Sequence, residues 1–126
     1  MHQFGDIVLV QAMHDPQGRN LKDRPCVVVT DPDNPLPNRR QLVVAISTVL
    51  PDPLPDSYVL LPYQQPRHPR TGLTRRNAAI LRWVDEIDES RIIRKLGIVP
   101  NRQLAEMVAI FERLDRPEGE DDAPAT

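Results

Sequence analysis

Short runs of β-branched and aliphatic residues, separated by proline-rich and polar segments, most constrain the fold of this chain. β-Branched apolar residues favour strands, whereas proline lacks a backbone donor and is confined to loops, sheet edges and strand starts. The 14 prolines therefore predict short strands joined by irregular loops. The predicted strands are residues 7–10, which follow a turn at 5–6, and residues 25–30, 41–47, 57–61 and 78–84. The predicted loops include residues 14–23, 31–38 and 51–55.

Two helices are predicted after the last of these strands. Asp88 is placed to cap a short helix running through Lys95, with Gly97 at its C-terminal left-handed position. Asn101 is placed to cap a second helix with the apolar spacing of an amphipathic helix. Its apolar residues are Leu104, Met107, Val108, Phe111 and Leu114. Strands followed by a terminal helix predict a mainly β, α+β fold, in which the helix seals one side of a small twisted sheet or barrel.

Length and composition predict one domain, residues 1–116, followed by a disordered acidic tail at 117–126. Aromatic residues make up only 4% of the chain, so Val, Ile and Leu are expected to form the core. A single cysteine excludes an internal disulfide, and no spacing of Cys and His suggests a metal or other cofactor. Neither a signal peptide nor a membrane-spanning run is visible, so a cytoplasmic protein is expected.

The net charge of −2 hides an asymmetry along the chain. Of the 18 acids, four crowd the last ten residues; the other 14 stand against 16 bases, so the body carries a small positive charge. The four are Glu118, Glu120, Asp121 and Asp122. Most of the bases are arginine, which makes bidentate contacts with phosphate. GC-rich coding would produce the same bias, and that explanation stays open.

Arg24 stands directly before Pro25 at the head of an apolar run. Because proline biases the preceding residue toward extended geometry, Arg24 is expected at the mouth of the strand and not inside it. A guanidinium mounted there suits a phosphate or carboxylate ligand. The alternative is a strand-end arginine in a salt bridge with Asp6 or Asp23. Cys26, in the apolar run, is expected to be a core residue.

The order of several short motifs resembles the MazF/PemK family, the toxin half of bacterial type II toxin–antitoxin pairs. These motifs lie at residues 5–10, 22–29, 43–48, 71–73 and 87–97. The resemblance implies an SH3-like barrel of the plasmid maintenance toxin type, usually a homodimer. It also implies an endoribonuclease that cuts single-stranded RNA, with a cognate antitoxin that covers the RNA groove.

By the same motifs, the resemblance places the family's active arginine at Arg24 and its catalytic hydroxyl at Ser47, with Thr48 beside it. The implied reaction is metal-free attack of a ribose 2′-OH on the adjacent phosphorus, and a guanidinium would stabilise the charge that develops there. Ser47-Thr48 reverses the family's usual Thr-Ser order. Hydroxyls at a strand end also satisfy backbone groups, so an ordinary strand end is the alternative.

The predicted RNA-binding residues are arginines around the turn at 71–73 and on the strand that follows it. They are Arg67, Arg70, Arg75, Arg76 and Arg82. They are expected to track phosphates, and the alternative is a solvated basic loop. Several RNA-cleaving members carry an acid on the strand that aligns with residues 78–84, whereas the matching region here, residues 80–83, has none. This departure leaves two further functions open: a non-catalytic binding module, as in related toxins that poison DNA gyrase, and an inactive family member.

Overall fold

The computed structural model describes residues 2–13 and 21–114. In them, the strands are β1 (Asp6–Met13), β2 (Lys22–Val28), β3 (Arg40–Ser47), β4 (Tyr58–Leu60), β5 (Ala78–Asp88) and β6 (Ile92–Ile98), and α1 spans Asn101–Leu114. A 3-10 turn, Glu89–Arg91, separates β5 from β6. Most of the predicted loop at 14–23 and all of the predicted tail at 117–126 lie outside the described residues. No described helix is both long and apolar enough to cross a membrane.

The strands form one antiparallel sheet in the order β4-β5-β3-β2-β1-β6. A large bulge interrupts the pairing of β3 with β5, because Val44 lies opposite Val84 whereas Ile46 lies opposite Ala79. Extra residues on one strand bend it and increase its twist, so β5 curves around the core. The mainly β fold with a C-terminal helix is confirmed.

Both faces of the central strands are buried. Alternate residues of a strand point to opposite faces, and the adjacent Val27 and Val28 are both fully buried. Val27 belongs to a core face that packs against Met107 of α1. Val28 belongs to a second core face with Cys26 and Val43. The two-sided core explains why these strands are apolar at nearly every position.

The helix predicted from Asp88 to Lys95 is wrong. The Asp88 carboxylate accepts a hydrogen bond from the Ser90 backbone N–H at 2.9 Å, and this bond lowers the pKa of Asp88. It caps only the 3-10 turn, after which Ile92 pairs with Val10 of β1. Without β6, the outer edge of β1 would lack backbone partners. Tertiary pairing therefore overrides the local capping signal.

The predicted strand boundaries near Arg24 also need correction. β1 continues to Met13, and Lys22 and Asp23 belong to β2 and not to a loop. Met13 pairs with Lys22 and Val10 with Arg24, across a β1 bulge. Arg24 therefore lies inside the strand and not at its mouth, because pairing with β1 holds the segment before Pro25 extended. Similarly, pairing with β3 extends β5 to Asp88, beyond the predicted end at residue 84.

Gly97 is a site of close packing in β6 and not the end of a helix. A Cβ at Gly97 would collide with the backbone of Arg70 and Thr71. The adjacent Ile98 N–H donates to the Arg70 carbonyl at 2.8 Å. On the loop side, Gly72 has φ +73° and packs against the Leu96 backbone. The loop that follows the edge strand β4 thus contacts the other edge strand, β6.

We expect Gly97→Ala to lower the free energy of unfolding by about 1–3 kcal/mol, the usual cost of overpacking. Urea unfolding would measure the change. The matched control is Arg94→Ala, which alters an exposed position of the same strand and should cost less than about 0.5 kcal/mol. Equal stability of the two variants would contradict the packing described.

Cys26 is fully buried in the second core face, which confirms its predicted core position. Burial and the charge of Asp85 raise the pKa of its thiol from 9.0 to about 12, against the opposing effects of Arg24 and Arg91. At a pH between these two pKa values, the thiol of the unfolded chain loses its proton, whereas the thiol of the folded chain keeps it. Above pH 9 the stabilisation from this group is therefore lost as pH rises.

The difference in free energy of unfolding between wild type and Cys26→Ala should consequently become smaller above pH 9. In the wild type alone, the thiol increases the unfolding constant by about tenfold per pH unit between the two pKa values. Urea unfolding of both proteins at pH 7, 9 and 10.5 measures this difference, and groups common to both proteins cancel. A difference that does not change with pH would argue against a thiol that stays protonated in the folded state.

Candidate functional site

The start of β2, the end of β3 and the start of β5 meet at one edge of the sheet, called here the strand-end edge. Ser47, the last residue of β3, pairs with Ala78, the first residue of β5. Cys26 of β2 pairs with Ala45 of β3. Extended by two residues, this antiparallel register sets Arg24 opposite Ser47. The fold therefore brings together the three predicted catalytic positions, because Thr48 directly follows Ser47.

The guanidinium of Arg24 is held by the bulged end of β1. Its Nε donates to the Met13 carbonyl at 3.1 Å. The bulge contains Ala12 at φ 57°. A second guanidinium, that of Arg91, donates to the carbonyls of Gln11 at 2.7 Å and Ala12 at 2.9 Å. These bonds fix the irregular backbone that orients Arg24.

The two acids considered as salt-bridge partners of Arg24 have other contacts. Asp6 Oδ1 lies 3.3 Å from Lys95 Nζ. Asp6 also precedes Val10, which pairs with Arg24, by four residues, or about 13 Å along the strand. Asp23 Oδ1 accepts a hydrogen bond from the Ala12 N–H at 3.2 Å. A carboxylate has several acceptor positions, so the salt-bridge alternative stays open.

Ser47 and Thr48 differ in their surroundings. Ser47 is half-buried, and its Oγ accepts a hydrogen bond from the Val49 N–H at 3.0 Å and lies 3.2 Å from the Val49 carbonyl. This is the local strand-end bonding named as the alternative to a catalytic role. A hydroxyl has one donor and two acceptor positions, so Ser47 keeps an acceptor position for a ligand. Thr48 is exposed.

Two of the five predicted RNA-binding arginines lie at the strand-end edge. Residues 57–84 contain all five of these arginines and no Asp or Glu. Arg75 and Arg76 are exposed and shortly precede Ala78, the partner of Ser47. Arg82 is exposed on β5, within the bulge that interrupts the pairing of this strand with β3. Arg75 and Arg76 thus lie three and two residues beyond the position that pairs with Ser47, whereas Arg82 lies in the bulge.

Arg67 and Arg70 lie in the part of the loop that packs toward β6. Both are exposed, and the Arg70 carbonyl accepts the hydrogen bond from Ile98 described above. The turn between them and Arg75 is structural: Thr71 is fully buried, and its Oγ1 donates to the Pro62 carbonyl at 2.8 Å. A role of Arg67 and Arg70 in RNA binding stays a prediction.

The motifs did not single out Asp85, which lies three residues after Arg82. It is half-buried and pairs with Val43, a member of the second core face. Asp85 and Arg24 both affect the pKa of Cys26, so the two charges lie near one thiol. Side chains of a strand point alternately to its two faces. A predicted strand that continued past residue 84 would therefore have placed Asp85 on one of the faces of the sheet. In residues 2–13 and 21–114, no three His, Cys, Asp or Glu residues group as metal ligands.

Comparisons with solved structures show the same fold. A Mycobacterium tuberculosis toxin, MazF-mt6, is 17% identical to this chain with a TM-score of 0.64; the alignment covers 89% of this chain and 98% of the toxin. A mycobacterial endoribonuclease, solved with its cognate antitoxin, is 12% identical with a TM-score of 0.66, covering 93% and 100%. MazF from Deinococcus radiodurans is 16% identical with a TM-score of 0.65, covering 90% and 94%.

Comparison with curated proteins gives no significant match. The profile of the PemK-like, MazF-like toxins of type II toxin–antitoxin systems, however, matches residues 3–114. This match covers nearly all of the described residues and agrees with the motif order and with the fold. The chain therefore belongs to the PemK-like, MazF-like toxin family of type II toxin–antitoxin systems.

Proposed function

We propose that this chain is a toxin that acts as an endoribonuclease on single-stranded RNA, including mRNA, in the cytoplasm. The observation that carries the proposal is the meeting of Arg24, Ser47 and Thr48 at the strand-end edge, with Arg75 and Arg76 beside them. One protein of similar fold is described as an endoribonuclease, which supports this activity within the family.

The proposed reaction needs a positioned cation more than it needs a strong base. The ribose 2′-OH attacks the adjacent phosphorus and the bond to the 5′ oxygen breaks, which leaves a 2′,3′-cyclic phosphate and a 5′-OH. Negative charge builds up on the phosphate oxygens during this step. The guanidinium of Arg24 is permanently charged, and its bond to the Met13 carbonyl orients it before the substrate binds. A preorganised charge of this kind stabilises the transition state.

The remaining residues of the strand-end edge bind and orient the substrate. The exposed hydroxyl of Thr48 can donate to a phosphate oxygen, and the acceptor position of Ser47 can accept from the 2′-OH, which lowers the entropic part of the barrier. Arg75 and Arg76 can neutralise the neighbouring phosphates, so RNA binding should weaken as salt increases.

The proposed protein partners are a cognate antitoxin and a second copy of this chain. Deinococcus radiodurans MazF, which has the same fold, is known in complex with MazE. A segment of the antitoxin that covers the strand-end edge would compete with RNA for the same arginines.

We expect Arg24→Ala to slow cleavage of a labelled, mixed-sequence single-stranded RNA by about 100-fold or more, the usual cost of removing one group that stabilises transition-state charge. Arg102→Ala is the matched control, because it removes an exposed arginine of α1 outside the candidate site, and it should cut at the wild-type rate. Urea unfolding would show that Arg24→Ala remains folded without its contact to Met13.

Wild-type cleavage by Arg24→Ala would rule out Arg24 as a catalytic residue. A wild-type protein that cuts no RNA and still arrests growth would instead indicate a non-catalytic binding module. Tolerated overexpression without an antitoxin, together with absence of cleavage, would indicate an inactive family member.

A further inference from the structure

Tyr63 is an exposed aromatic residue on the segment that leaves β4. Its relative exposure is 47%. The other four aromatic residues, all within the described part of the chain, are partly buried; they are Phe4, Tyr58, Trp83 and Phe111. A single exposed apolar residue is common on protein surfaces, so exposure alone assigns no role to Tyr63. Its surroundings do.

The backbone on both sides of Tyr63 is held by hydrogen bonds. The Leu61 N–H donates to the Asn77 carbonyl at 3.5 Å, and the Gln64 N–H donates to the Leu73 carbonyl at 3.1 Å. Residues 61–64 therefore run antiparallel beside residues 73–77, with Tyr63 between the two bonded positions. The bond at Leu61 continues the β4–β5 register, and the register shifts by one residue before the bond at Gln64.

A buried asparagine links the two segments further. Asn77 is only 2% exposed, and its Nδ2 donates to the Leu61 carbonyl at 3.3 Å and to the Arg75 carbonyl at 2.8 Å. One side chain thus holds the segment that carries Tyr63 and the segment that carries Arg75 and Arg76. A ring mounted on a backbone held in this way loses little conformational entropy when a ligand binds.

Tyr63 is within reach of a ligand bound at the strand-end edge. Leu60 and Ser47 both pair with Ala78, so they lie in one row across the sheet. Two strand spacings separate Leu60 from Ser47, or about 10 Å, and Tyr63 follows Leu60 by three residues, or about 10 Å along an extended chain. Tyr63 therefore lies about 14 Å from Ser47. A single-stranded polymer with its phosphate at Ser47 could place a unit farther along its chain over the tyrosine.

We propose that Tyr63 is a platform on which a nucleobase of the bound RNA stacks, while Arg75 and Arg76 contact the flanking phosphates. This inference rests on the proposed function, because it assumes that RNA binds at the strand-end edge. Aromatic rings beside cationic side chains are the usual means of holding single-stranded nucleic acid, and stacking tolerates any base. The absence of acids from residues 57–84 also favours a polyanion over a cationic or neutral ligand.

The first test uses a fluorescently labelled, uniformly 2′-O-methylated RNA of mixed sequence, which lacks the attacking hydroxyl and is not cut. Tyr63→Ala should weaken binding by about 5- to 100-fold, the range found when one stacking side chain is removed. Tyr63→Phe keeps the ring and should bind within twofold of wild type. Val108→Ala is the matched control, because it removes a comparably exposed apolar side chain of α1, outside the candidate site (40% exposed), and it should also bind within twofold.

The salt dependence of the same binding separates stacking from charge contacts. Tyr63→Ala should leave the slope of log K against log salt unchanged, whereas Arg75→Ala should reduce its magnitude by about one. In Tyr63→Trp, binding should quench the new exposed tryptophan beyond any change at Trp83 in wild type. Deca-glutamate, which has no bases, should bind wild type and Tyr63→Ala equally.

The outcomes distinguish this inference from the proposed function. If wild type binds the RNA and Tyr63→Ala binds it equally well, the platform is wrong while RNA binding stands. An equal loss in Tyr63→Phe, or an equal loss of deca-glutamate binding in Tyr63→Ala, would show that the ring does not act by stacking. If wild type binds no RNA, both the proposed function and the platform fail.

Discussion

The backbone pairing of β2, β3 and β5 positions both the core faces and the candidate site. Arg24 and Ser47 are more than twenty residues apart in the chain, and they become neighbours only because Cys26 lies opposite Ala45. A shift of one residue in this register would turn every side chain of the strand to the other face. The apolar residues that fill both core faces exclude such a shift. Packing therefore sets the geometry of the candidate site.

The charges around the strand-end edge follow from the same framework. The bulge at the end of β1 turns carbonyl groups toward Arg24 and Arg91, so two guanidinium groups are fixed by backbone acceptors. Asp85 lies on the core face that these arginines border. The acid-free segment 57–84 adds positive charge on the solvent side. The result is an oriented cation beside exposed hydroxyl and aromatic groups, which suits a single-stranded polyanion.

Much of this fold follows from local sequence patterns, and the exceptions have a common cause. The β-branched runs predicted the central strands, and the 3.6-residue spacing predicted α1. The motif order placed Arg24 and Ser47 in one site. The helix at 88–95 failed because the cap at Asp88 is a local signal, whereas pairing with β1 is not visible locally. The position of Tyr63 beside residues 73–77 could not be predicted either, since it depends on hydrogen bonds between two irregular segments.

The chemistry of the RNA ends made by the purified wild-type protein decides whether the strand-end edge cleaves RNA. A mixed-sequence single-stranded RNA would be incubated with the protein in EDTA, and the products would be mapped and their termini identified. We expect discrete cuts that leave 2′,3′-cyclic phosphate and 5′-OH ends, and no cut where a 2′-deoxynucleotide replaces the attacking ribose. Intact RNA, or products with 5′-phosphate ends, would contradict this expectation.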